Sequence, residues 1–336
     1  MATSTSTLLR SASIATALIF TLAACGNDGS DTDAAAQTQN GSTSYPLEVE
    51  SCGIKQTFEE PPSRVATLTS TATETMLELG LEDVMVGTAY LRGREIGPQY
   101  AEAYDDIPVL AAGQPSMEKL LSVDPDFVYA GYGDGFSESY GHTREDLDQL
   151  GINTHLSPVG CTDKPKKLSD ETDELATIGK IFDVNDAAEK AIDKFESKVS
   201  EVADTVDGAD RPTVFLYNSG EDAPTTVGGW AYASVMIEAA GGENIFADED
   251  LRWGKVSWEQ VAAADPDIIL IYDYLEPSVK SKIATLKKTP AIKDTTAITE
   301  GNFAEISLSL AQPGPRSAEG IEELARQFHP ELYSDD

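Results

Sequence analysis

The chain has 336 residues, with 58 acidic against 24 basic side chains and a formal net charge of −34. Its length suggests roughly two domains of about 150 residues each, and 40% apolar with 24% charged residues excludes bulk disorder. The acidic excess argues against nucleic acid and anionic lipid as partners, since both need a basic surface, and beyond the N-terminus no apolar run reaches about 18 residues, which excludes a polytopic membrane protein.

Arg10 precedes a short apolar core, Ile14 to Leu22, followed by Leu22-Ala23-Ala24-Cys25-Gly26. One basic residue, a short apolar stretch and small residues at a cleavage point read as a secretory signal rather than a spanning helix. Cys25 stands where a bacterial lipoprotein signal carries its lipidated cysteine, and the segment resembles a lipobox. The alternative is an ordinary signal with a chance cysteine. The expectation is removal of residues 1–24 and lipid on Cys25. The protein would then be exported and anchored to the outer face of the cytoplasmic membrane. Residues 25–44 are rich in Gly, Ser, Thr, Asn and Asp and read as a flexible tether.

With Cys25 assigned, Cys52 and Cys161 remain. Export favours a disulfide between them over two buried free thiols. It would close a loop of roughly 100 residues, a constraint of about 4–5 kcal/mol in the chain-entropy picture.

From Arg64 the pattern alternates strand and helix. Arg64 to Leu68 is a strand. Ser70 to Glu74 offers a cap before the apolar period of Met76, Leu77 and Leu79, which Gly80 stops. Strands follow at Val84–Val86 and Asp126–Tyr129, a helix at Glu145–Leu150, and a strand at Asn153–Leu156. Ser169 to about Val206 is nearly free of Gly and Pro and repeats apolar residues at helical spacing. The Asp183-Val184-Asn185-Asp186 break divides it into two helices, the second over about 186–206. A second set then opens with strand Thr213–Tyr217. It continues with a helix near Tyr232–Ala240, strand Ile268–Tyr272, a helix after Ser281, and a last helix over Ser317–Phe328. Such alternation predicts α/β layers on largely parallel sheets.

A repeat divides the chain into like halves. Ser116-Met117-Glu118 leads to Asp124-Pro125-Asp126 and an apolar strand, as Ser257-Trp258-Glu259 leads to Asp265-Pro266-Asp267. Ser-x-Glu is a helix start; Asp-Pro-Asp is a turn, because Pro cannot continue a helix and presets φ.

With these motifs, and with Ala239 to Phe246 and Pro313-Gly314-Pro315-Arg316, the region from about Tyr45 to Tyr333 resembles the substrate-binding lipoproteins of ABC importers for ferric siderophores, haem and cobalamin. The resemblance implies an α/β fold of two Rossmann-like lobes with parallel central sheets, joined by one long rigid helix, with the ligand cleft between them. The expected boundaries are 45–185 for the first lobe, 186–207 for the helix and 208–336 for the second lobe. It also implies that Glu118 and Glu259, one per lobe, dock onto a permease dimer that works with an ATPase. Charge-assisted pairs with Arg would serve there. The bland alternative is that each Glu only stabilises a helix N-terminus.

Ligands of such proteins sit at the carboxyl ends of strands, in the inter-lobe crevice. The candidates are Ser70, Tyr90, Arg92, Arg94, Tyr132, Tyr217, Trp230, Trp253, Tyr274 and Arg316, with Asn218, Arg252 and Gln312 in the same segments. A guanidinium suits an anionic ferric chelate and aromatics suit its flat or apolar shell. Trp253 stands six residues before Glu259, where cobalamin-binding relatives carry a cleft Trp. The first-lobe counterpart is Ala112, which departs from a two-sided aromatic clamp. Haem relatives use axial Tyr or His, for which His142 and His155 are available, though both read more readily as structural, as does His329. The expectation is a small-molecule metal chelate, a ferric siderophore first, with haem, cobalamin or another chelate as alternatives. A surface lipoprotein contacting proteins or cell wall is the alternative of another class. No intrinsic cofactor, direct metal site or oligomer is expected.

Enzyme readings fail on spacing. Ser116-Met117-Glu118-Lys119 fits S-x-x-K but lacks convincing partner motifs, and Gly131-Tyr132-Gly133-Asp134-Gly135 misses G-x-G-x-x-G. The expected mechanism is capture, presentation and release, with no catalysis on this chain.

Overall fold

In the computed structural model, residues 42–91 and 95–333 are described. The signal, Cys25, most of the tether, Arg92 and Arg94 lie outside them.

The described chain opens with a hairpin that the alternation did not reveal: β1 (Leu47–Ser51) pairs antiparallel with β2 (Ile54–Phe58). Cys52 and Gly53 turn it with φ of +49° and +78°, the twist a two-residue hairpin loop demands. Cys52 is bonded to Cys161, with the Cα atoms 5.3 Å apart.

Five strands form the first sheet: β3 (Val65–Thr67), β4 (Met85–Ala89), β5 (Val109–Ala111), β6 (Phe127–Ala130) and β7 (Asn153–Leu156). They pair in parallel in the order β5-β4-β3-β6-β7, so the chain order reverses between β3 and β6. Four helices connect them: α1 (Ser70–Glu78), α2 (Ala101–Asp105), α3 (Met117–Leu121) and α4 (Arg144–Gln149). The cap of α1 is Thr69, one residue earlier than the sequence reading; its side chain accepts from Ala72 N. A Cβ on Gly131, just past β6, would stand 2.1 Å from Thr71 Oγ1. The glycine-rich stretch therefore permits a close approach at the reversal point.

Two helices follow, α5 (Ser169–Ile181) and α6 (Asn185–Val206), separated by Asp183 at φ +55°. Helix α6 has 22 residues, about 33 Å at 1.5 Å per residue. Its Ala188 and Ala191 join the core formed with Leu175, Ile178 and Phe127. Its Val202 joins a separate core with Val214, Leu216 and Ile321. One helix thus anchors both lobes.

The second lobe contains β8 (Thr213–Tyr217), β9 (Thr225–Thr226), α7 (Tyr232–Ala239), β10 (Glu243–Asn244), β11 (Gly254–Lys255), α8 (Trp258–Ala264) and β12 (Ile268–Asp273). It closes with α9 (Val279–Leu286), α10 (Thr296–Glu300), β13 (Phe303–Ser307) and α11 (Ser317–Phe328). Its four-stranded parallel sheet runs β10-β8-β12-β13.

The sequence repeat is a structural one. Ser116 and Ser257 each accept from the backbone N–H three residues on, at 3.2 Å. Asp124 and Asp265 both take the left-handed conformation, φ +48° and +42°. Asp126 accepts from Ser63 N and Arg64 N, and Asp267 from Thr213 N. Each second Asp therefore ties its strand to the segment entering the neighbouring one.

Candidate functional site

A cavity of about 800 Å³ lies between the lobes. The first lobe contributes Tyr132 and Gly133, past β6, and Val159, Gly160 and Thr162, past β7. The second contributes Asn218, past β8, Tyr274, past β12, and Leu308, past β13, with Trp230 to Ala233 and Asp250 to Trp253. Carboxyl ends of strands on both sides thus face one space, as open parallel sheets favour.

Its walls are aromatic. Trp253 is 48% exposed, a large apolar surface left open, and its ring centroid lies 5.9 Å from that of Tyr272. Trp230 donates from Nε1 to Asp250 Oδ1 at 3.0 Å, which fixes the plane of the indole. Across the cavity Tyr132 lies edge-on to Tyr90, centroids 6.4 Å apart. Tyr90 takes φ +61°, an unusual conformation for a bulky residue. Tyr132 donates from its hydroxyl to Gln312 Oε1 at 2.6 Å, a bond between lobes. Arg252 donates from Nη2 to Val159 O at 3.2 Å, another inter-lobe bond. Burial pushes the phenols of Tyr232 and Tyr272 well above their usual range, so both stay neutral.

Of the residues expected at the ligand, Tyr132, Trp230, Trp253 and Tyr274 line the cavity, and Tyr90 backs Tyr132. Ser70 is buried as the first residue of α1 and is not among the lining residues. Tyr217 packs on Trp258, centroids 5.9 Å apart. Its neighbour Asn218, just past the end of β8, lines the cavity instead, because the crevice lies at the carboxyl ends of the strands. Arg316 is placed away from the cavity. Its Nη2 lies 2.8 Å from Glu74 Oε1, with both side chains buried.

His142 is buried with Nε2 at 2.9 Å from Pro115 O, and His155 is buried against Glu174 Oε2 at 2.8 Å. Among the described residues no histidine lines the cavity. Glu118 and Glu259 are exposed in the first turns of α3 and α8. Asp250, Tyr232 and Leu308 were not singled out in the sequence. Tyr232 stands there only as the start of an expected helix, and the fold places it on the cavity wall.

Comparison with known proteins agrees with this geometry. A family model described as periplasmic binding protein matches residues 65–308. The chain belongs to the periplasmic binding protein family. This solute-binding protein is 28% identical over 298 residues to a cobalamin-binding protein of Halobacterium salinarum, covering 85% of this chain and 75% of that relative. It is similar to the crystal structure of a periplasmic binding protein from Veillonella parvula, with TM-score 0.78, 29% identity, and 84% and 97% of the two chains covered. It is also similar to the structure of an ABC-type Fe3+-hydroxamate transport system from Saccharomonospora viridis, with TM-score 0.71, 27% identity, and 85% and 99% covered.

Proposed function

We propose that this periplasmic binding protein is held by lipid on Cys25 at the outer face of the cytoplasmic membrane. There it captures a corrinoid of the cobalamin type and presents it to an ABC permease dimer and its ATPase through Glu118 and Glu259. The carrying observation is the makeup of the cavity. Trp230, Trp253, Tyr272 and Tyr274 stand on one lobe and Tyr132 on the other, and Arg252 is the one Lys or Arg among the described lining residues. Aromatic walls of this kind match the faces of a large, flat macrocycle. Tyr132 supplies on the first lobe the aromatic face that Ala112, exposed and outside the cavity, does not. The likeness to the cobalamin-binding relative supports the same reading.

A ferric hydroxamate is the second reading, favoured by the similarity to the hydroxamate transport structure. The test is tryptophan fluorescence titration with cyanocobalamin, ferric hydroxamates, ferric catecholates and haemin. Saturable quenching at submicromolar cyanocobalamin supports the corrinoid. A response to ferric hydroxamate alone, absent with the iron-free chelator, replaces it. Silence across the panel overturns both.

A further inference from the structure

The segment from Gln312 to Arg316 joins β13 to α11 in the second lobe, yet it is fastened to the first lobe at three points. At one end, Gln312 takes the hydroxyl of Tyr132 at 2.6 Å. In the middle, a Cβ on Gly314 would sit 3.5 Å from Thr71 Cβ, so the backbone lies directly on α1. At the other end, Arg316 Nε reaches the two Glu74 oxygens at 3.0 and 3.1 Å, and Nη2 reaches the Glu95 carbonyl at 2.9 Å. Glu74 Oε1 also accepts from Gly97 N at 2.8 Å. Pro313 and Pro315 flank Gly314; with φ fixed and no N–H to donate, they stiffen the span. Gln312 and Pro313 line the cavity and Arg316 does not.

We propose that residues 312–316 are an inter-lobe strap. In this reading Arg316, seated on Glu74 outside the cavity, is a positioning residue that sets the cavity's width by holding Gln312 against Tyr132. The fork of a guanidinium on a buried carboxylate is either seated or broken, because a half-seated pair leaves charge buried without a partner. The strap therefore holds one position firmly rather than sliding. It is a joint between the lobes additional to α6, and it stands whichever ligand the cavity takes.

Hydrogen exchange on the full-length protein without ligand tests it, so failure of the corrinoid reading leaves this experiment intact. Arg316→Lys keeps the charge and loses the fork. The expected result is at least tenfold faster exchange in peptides covering 310–317 and, across the cavity, 131–136, with β12 and β4 unchanged. Gln312→Ala leaves the ion pair in place and serves if the first variant does not fold. It is expected to speed exchange at 131–136 and to leave the α1 amides unchanged. Acceleration confined to 314–320 in Arg316→Lys, uniform acceleration over the whole chain, or wild-type exchange at 131–136 in both variants overturns the proposal.

Discussion

The two lobes repeat one plan in their outer helices and depart from it at the cavity. Helices α3 and α8 share a Ser cap, an exposed Glu in the first turn and a left-handed Asp before the next strand. Six residues before that Glu the likeness ends, with exposed Ala112 in one lobe and Trp253 in the other. The aromatic cavity wall belongs mainly to the second lobe, while the disulfide belongs wholly to the first. The lobes are thus alike around the two exposed glutamates and unlike around the cavity.

The largest expected effect tests the shared feature. Reversing both glutamates, Glu118→Arg with Glu259→Arg, is expected to lower uptake at least 100-fold in cells and leave ligand affinity within twofold, with each single variant in between. Lost affinity in the double variant would show that the residues act on the fold or ligand instead.

The disulfide sharpens the contrast in stability. Replacing Cys52 and Cys161 with Ala is expected to cost about 2–4 kcal/mol in urea unfolding. Exchange should loosen in the β1–β2 hairpin and around residue 161, not in the second lobe.

At the cavity, Trp253→Ala is expected to weaken corrinoid binding roughly 10–100-fold, about 1.4–2.8 kcal/mol. Ala112→Trp should change affinity less than twofold. A gain from Ala112→Trp would mean that the first lobe can also form the clamp.

Glu171 gives a smaller, pH-dependent effect. Burial, then the charges of Glu174 and Glu74, push its carboxyl up to about 8. Its Oε1 has no hydrogen-bond partner among the described residues. The folded state thus holds a proton that the unfolded state releases near 4.5. Its contribution is complete below pH 4.5 and is lost as pH rises through about 8. Glu171→Gln is accordingly expected to be nearly neutral at pH 5 and stabilising by about 1–3 kcal/mol at pH 9. Equal effects at both pH values would refute this. Smaller still, screening of the −34 net charge is expected to raise the melting temperature by a few degrees between 0.1 and 1 M KCl, where the Debye length falls from about 10 to about 3 Å. A flat salt dependence would mean that surface repulsion is already offset locally.

The alternating elements were legible because burial on one face imposes a period on the chain, and strands such as Thr213–Tyr217 coincide in sequence and structure. The β1–β2 hairpin was missed although Leu47-Glu48-Val49-Glu50 alternates at the strand period, because it stands outside the strand–helix alternation and turns on Cys52-Gly53 rather than Asn-Gly or Asp-Gly. Tyr132, Trp230, Trp253 and Tyr274 could be named from their places after strands. Arg316 followed the same logic and went elsewhere, because Glu74, 242 residues away in sequence, was waiting for it.

The sequence by itself determined the α/β plan, the repeat, and the break before the long helix. Those are local consequences of periodicity, caps and turn residues, and each is written within about fifteen neighbours. Only the tertiary structure decided that Arg252 lines the cavity and that Arg316 is seated on Glu74 outside it. It also decided that Tyr132 supplies the aromatic wall that Ala112 lacks. Both depend on segments far apart in sequence: Arg316 is a buried charge that needs the buried carboxylate of Glu74, and Tyr132 meets Gln312 across the cavity.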